Sequence, residues 1–87
     1  MSSDLRAIES RIRREIVDGL GYVRSLTSSE SLRQAAVFDS SNILDFVIFL
    51  EEEFGIQIDS EDMVLATFES IESIVAFVAA KWQVAAA

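Results

Sequence analysis

The stretch FDSSNILDFVIFLEEEFGI, residues 38–56, carries the clearest structural signal in the chain. Ile43, Phe46, Val47, Leu50 and Phe54 recur at helical spacing, so they share one stripe and are expected to face a core. Asp39 is a good N-cap, and Gly55 suits the left-handed residue that ends a helix. The reading is a helix from Asp39 to about Phe54, with Ser40 at its first position. Leu44, Ile48 and Phe49 fall at the margin of the apolar stripe or outside it. They are either covered by neighbouring elements or form, together with carboxylates, a docking surface for another protein; the role of Phe49 stays open. Glu51, Glu52 and Glu53 lie near the helix C-terminus, where the dipole disfavours negative charge by a few tenths of a kcal/mol each. That position favours a functional use.

To the N-terminal side, Leu5, Ile8, Ile12, Ile16 and Leu20 form a second helical stripe, opposed by arginines and acids. Ser2 or Ser3 suits its cap, Asp4 complements its dipole, and Gly19 and Gly21 suit its end. Residues 21–38 read as a long loop packed down by Tyr22, Val23, Leu26 and Leu32. Within it, TSSE (27–30) resembles a capping box ahead of one turn, SLRQAA. To the C-terminal side, Ile56 and Ile58 extend the core. Asp59 or Ser60 caps a short turn, SEDMVLA, and a last helix starts near Ser70. Its buried face is Ile71, Ile74, Val75, Phe77 and Val78, it runs to about Trp82, and the tail 83–87 is expected to fray. No strand alternation competes. The expected fold is all-α: a small four-helix bundle of three longer helices and a short third one, in a single domain over 1–87, with a long loop after the first helix.

Composition narrows the chemistry. The 87 residues contain no cysteine and no histidine, which removes disulfides, thiolate metal sites, most hydrolase triads and nearly all zinc sites. No signal peptide is visible and the longest apolar run is too short to span a bilayer, so the expected location is cytoplasmic. The net charge of −8 is uneven. Residues 1–33 hold six arginines against five acids, whereas residues 34–87 hold Lys81 alone against ten acids. Nucleic acid is a poor partner for such a surface; a protein with a basic patch is a good one. Neither Ser40 nor Ser41 has a histidine or local lysine to activate it. A reaction at Ser40 would therefore need another protein as catalyst. The chain is expected not to be an enzyme, with no catalytic and no metal-binding residue of its own.

These residues carry a resemblance. The pattern D-S-x-x-x-x-[DE]-x-x-x-x-L-E-E-E-F-G-I, from Asp39 to Ile56, resembles the second helix of acyl carrier proteins, and the similarity extends over roughly residues 5–82. In that family the serine after the aspartate is esterified by 4′-phosphopantetheine, which a separate magnesium-dependent transferase takes from coenzyme A. The resemblance implies that Ser40 is the attachment residue and that Asp39 engages the transferase. It also implies that Ser41, Leu44, Asp45, Ile48, Glu51 and Glu52 meet partner enzymes through their basic docking patches. The implied protein is a monomer that presents acyl thioesters to enzymes of fatty-acid, lipid or secondary-metabolite biosynthesis. An aminoacyl, peptidyl or polyketide carrier and an unmodified helical adaptor are the alternatives. Ser41 stands where such carriers often have leucine, and Val37 where they often have glycine, which points to a specialised member.

Overall fold

Among the described residues, three α-helices and one turn of 3-10 helix make up the regular structure: α1 (Ser2–Asp18), α2 (Asn42–Phe54), the 3-10 turn (Ser60–Asp62) and α3 (Ile71–Ala86). This computed structural model describes the backbone of residues 2–64 and 66–86 and the side chains of residues 5–64 and 66–82. There is no strand among the described residues. The short third helix expected from SEDMVLA is present only as the 3-10 turn, and Leu65 lies outside the described residues. Three acids open that turn, and reciprocal bonds between Asp59 and Asp62 close it at once. Such side-chain bonds offer the backbone an alternative to a longer α-helix. Lys81 on α3 then ties the turn down through Asp62 at 2.9 Å.

Helix α1 buries Ile8, Ile12 and Ile16, one stripe at i, i+4 and i+8, against α3. Leu5, expected in that stripe, is 45% exposed, because it lies in the helix's N-terminal turns, beyond the buried isoleucines. The side chains of Ser2, Ser3 and Asp4, expected at the cap, lie outside the described residues. Gly19 follows the helix directly, and Gly21 takes the left-handed conformation (φ 73°) that turns the chain away. Helix α3 begins with a reciprocal cap: Ser73 N–H donates to Ser70 Oγ (3.1 Å) and Ser70 N–H to Ser73 Oγ (3.0 Å). It buries Ile71, Ile74, Val75 and Val78, leaves Phe77, also expected on that face, half-buried against the core, and continues past Trp82 to Ala86. The expected fraying point is thus helical, in keeping with the strong helix propensity of the alanines there.

The segment between α1 and α2 has few repeating backbone bonds but is pinned at several points. Arg13 donates to Glu9 (2.8 Å), to the Leu26 carbonyl (2.7 Å) and to Ser28 Oγ (3.1 Å), and Ser28 Oγ also donates to Glu9. These bonds, Arg13's first, hold the Glu9 carboxyl below its ordinary pKa. Backbone bonds from Leu32 N–H to the Glu69 carbonyl and from Glu72 N–H to the Ser28 carbonyl fasten the same segment to the start of α3. Half of the TSSE capping box forms, Thr27 N–H donating to Glu30. Tyr22, Leu26 and Leu32 pack inward as expected, but Val23 points out and is 85% exposed.

The turn at 32–37 closes with bonds from Ala36 N–H to the Arg33 carbonyl (3.1 Å) and from Val37 N–H to the Leu32 carbonyl (3.0 Å). Ala36 therefore adopts φ 57°, a left-handed conformation that costs an alanine about 1 kcal/mol. Ala36→Gly is expected to be stabilising by about 0.5 kcal/mol after the extra unfolded-state freedom of glycine is subtracted, or about 3 °C in Tm. Ala36→Val should lower Tm instead. Thermal unfolding followed by circular dichroism checks both; a lower Tm for the glycine variant would overturn this account of the turn.

Candidate functional site

The approach to α2 is built from four residues, Val37, Asp39, Ser41 and Asn42. Asp39 Oδ1 accepts from Ser41 N–H (2.9 Å), Ser41 Oγ–H (2.9 Å) and Asn42 N–H (2.8 Å). In return, Asn42 Oδ1 accepts from Asp39 N–H (2.7 Å), and Asn42 Nδ2 donates to the Val37 carbonyl (3.0 Å). This is a reciprocal cap with aspartate and asparagine in the two roles. The Asn42 N–H, followed by the two Ser41 donors, holds the Asp39 carboxyl below its ordinary pKa, so it is anionic at neutral pH.

The cap corrects one detail of the sequence reading. The first helical bond runs from Ile43 N–H to the Asp39 carbonyl (3.2 Å), in line with Asp39 as cap. Ser40 and Ser41, however, lie in a turn ahead of the regular helix, which starts at Asn42. Three donors on one carboxylate draw the backbone at 41 and 42 toward the Asp39 side chain, and the regular ladder starts only beyond them.

The two serines differ in what they do. Ser41 Oγ is committed to Asp39, whereas Ser40 is exposed and its hydroxyl makes no hydrogen bond among the described residues. Ser40 borders a groove of about 380 Å³ whose walls are mostly apolar: Phe38, Ile43, Met63, Val64 and Phe68. Arg33, Asp39 and Glu69 also line it. Phe38 is steadied from below by Phe46 (ring centroids 5.0 Å apart) and from the side by Phe68 (6.3 Å, edge-on). Ile43, expected in the core, is half-buried because it faces this groove. Val47 is also only half-buried, leaving Phe46, Leu50 and Phe54 as the core residues of α2.

The outer face of α2 combines exposed apolar and acidic groups. Leu44 and Ile48 are 58% and 51% exposed, and Asp45 and Glu52 are exposed beside them in sequence. Glu51 differs from its neighbours: it is half-buried and accepts the Ile58 N–H at 3.0 Å, fastening the segment after α2. Glu53 pairs with Arg11 at 3.0 Å. Phe49 is half-buried between Phe46 and Phe54, at 5.8 and 6.3 Å between ring centroids, and so belongs to the packing of the helix.

Lys81, the one lysine, is held by Asp62 and lies on α3, so it does not serve Ser40 as a base. Among the described residues no set of three acids converges on a metal-sized site. Chemically, the arrangement offers an exposed, unengaged hydroxyl beside a fixed carboxylate and an apolar groove. Sequence reasoning overlooked Asn42, Arg33, Met63, Val64 and Phe68. The Asp39-to-Asn42 spacing of three was the available sign of the reciprocal cap; groove walls drawn from three separate segments left no such sign.

No family model matches the chain, and no curated protein matches it either.

Proposed function

We propose that the chain is a carrier protein that holds acyl groups as thioesters on a 4′-phosphopantetheine arm esterified to Ser40. The observation that carries this reading is the contrast between the serines: Ser41 Oγ is bound to Asp39, while Ser40 is exposed at the edge of an apolar groove and its Oγ has no hydrogen-bond partner among the described residues. The hydroxyl is accessible to an external transferase, and the groove offers apolar walls next to the attachment point. The arm would supply the thiol that a cysteine-free chain lacks. On loading, the Ser40 Oγ–P bond forms as the pyrophosphate of coenzyme A breaks. The adenosine bisphosphate half departs, and the serine proton passes to the transferase. Ser40 brings the hydroxyl, and Asp39 fixes the turn that presents it and puts a negative charge beside it.

In this reading the 3-10 turn and its flanks take the place of the short third helix of a four-helix carrier, and the protein works as a soluble cytoplasmic monomer. No described helix is long and apolar enough to cross a membrane. Incubation with coenzyme A, magnesium and a broad-specificity transferase is expected to add one phosphopantetheine mass. An unchanged mass with several transferases acting on folded protein would overturn the reading in favour of a helical adaptor.

The partner enzymes would meet Leu44, Asp45, Ile48 and Glu52, an apolar pair among carboxylates. Opposite charge on the partner speeds encounter and sets orientation. Asp45→Lys combined with Glu52→Lys is expected to weaken transferase binding about tenfold, mainly through slower association. Added salt should weaken the wild-type complex in the same direction. Binding kinetics over a salt series check this; unchanged affinity in both arms would leave the acidic face merely solvated. Glu51 is a poor choice for such a test, since reversing it also removes the acceptor for Ile58 N–H.

A further inference from the structure

Three charged side chains line the groove beside Ser40, and each is placed differently. Asp39 is occupied by the donors of the cap. Glu69 is half-buried, and its backbone carbonyl receives Leu32 N–H. Arg33 is exposed and makes no ion pair among the described residues, whereas Arg11 and Arg13 are paired with Glu53 and Glu9. Among the described residues Arg33 is also the only cation lining the groove. Its backbone belongs to the closed turn at 32–37, whose last residue, Val37, also takes part in the cap, so its side chain starts from a fixed point.

An anion attached to Ser40 Oγ would stand next to the Asp39 carboxylate, and like charges at that range repel. A guanidinium lining the same groove offsets that repulsion, and its planar fork matches phosphate oxygens. We infer that Arg33 is the partner of the phosphate carried on Ser40, pairing with it across the mouth of the groove. This rests on the reading of Ser40 as the attachment residue. Arg33 is then a positioning residue: it holds the root of the arm over the apolar walls of Phe38, Ile43 and Phe68.

The test does not need a transferase. Phosphoserine incorporated at position 40 of the full chain places a phosphate on the same oxygen, and its second ionisation, near pH 6 in isolation, is read by phosphorus NMR. Arg33 favours the dianion, while Asp39 and Glu69, the acids that line the groove, disfavour it. The phosphate pKa is therefore expected to be about half a unit higher in Arg33→Gln than in the wild-type background, roughly a threefold change in the protonation constant. Arg33→Lys should recover part of the shift, and high salt should reduce it. An equal or lower pKa in Arg33→Gln would overturn the inference. Failure of transferases to load Ser40 would instead count against the carrier reading and leave this titration interpretable.

Discussion

Ser40→Ala is expected to abolish phosphopantetheine loading completely, while Ser41→Ala loads as the wild type does. The structure makes this comparison clean. Ser40 is exposed and its hydroxyl makes no bond among the described residues, so its removal should leave stability within about 0.5 kcal/mol. Lost loading in that variant is then a loss of the reacting oxygen, not of the fold. Ser41→Ala removes one bond to Asp39 Oδ1 but keeps the backbone donors of Ser41 and Asn42, so the cap survives at a cost of about 0.5–1 kcal/mol. Intact mass after transferase treatment, with a thermal melt of each variant, checks both. A mass gain that persists in Ser40→Ala, or that disappears in Ser41→Ala while the fold is retained, would overturn the assignment.

Phe46→Ala is expected to cost about 3–5 kcal/mol, a large share of the 5–15 kcal/mol that holds a typical domain together. Phe46 is fully buried and touches the rings of Phe38 and Phe49. Its loss empties a space at the centre of α2 and also removes the support beneath Phe38, one wall of the groove. Ile48→Ala, two residues along the same helix, removes an exposed side chain and should cost under about 1 kcal/mol. Urea unfolding compares them: the midpoint of Phe46→Ala should fall far below that of Ile48→Ala. Equal midpoints at equal slope would refute the assignment of Phe46 to the core.

The two helices flanking the central one were legible because their periodicity is strong. Ile8, Ile12 and Ile16 on one side and Ile71, Ile74, Val75 and Val78 on the other are all buried, as their spacing predicts. The ends of elements were less legible. SEDMVLA has the composition of a short helix, yet the bonds between Asp59 and Asp62 close it into a single 3-10 turn. The stripe on α2 pointed correctly to Phe46, Leu50 and Phe54 but overstated Ile43 and Val47, since periodicity gives a direction and not what lies there.

For the pair Ser40 and Ser41, residue order alone pointed to the serine after Asp39, through the resemblance to carriers. The reason one hydroxyl is unengaged and the other is not lies in three dimensions: a single carboxylate oxygen gathers Ser41 and Asn42, and Ser40 is left outside that set. The acidic run at 51–53 divides in the same way. One sequence pattern becomes a loop fastener at Glu51, a solvent-facing charge at Glu52 and an ion pair with α1 at Glu53. What the residues determined by themselves was local: helix periods, the Asp39 cap, the Gly55 stop and the absence of any histidine or cysteine to do chemistry. The tertiary structure alone decided which side chains line the groove beside Ser40, because Arg33, Ile43, Met63 and Phe68 meet there from segments far apart in the chain, and such meetings depend on how helices and loops pack rather than on any local pattern.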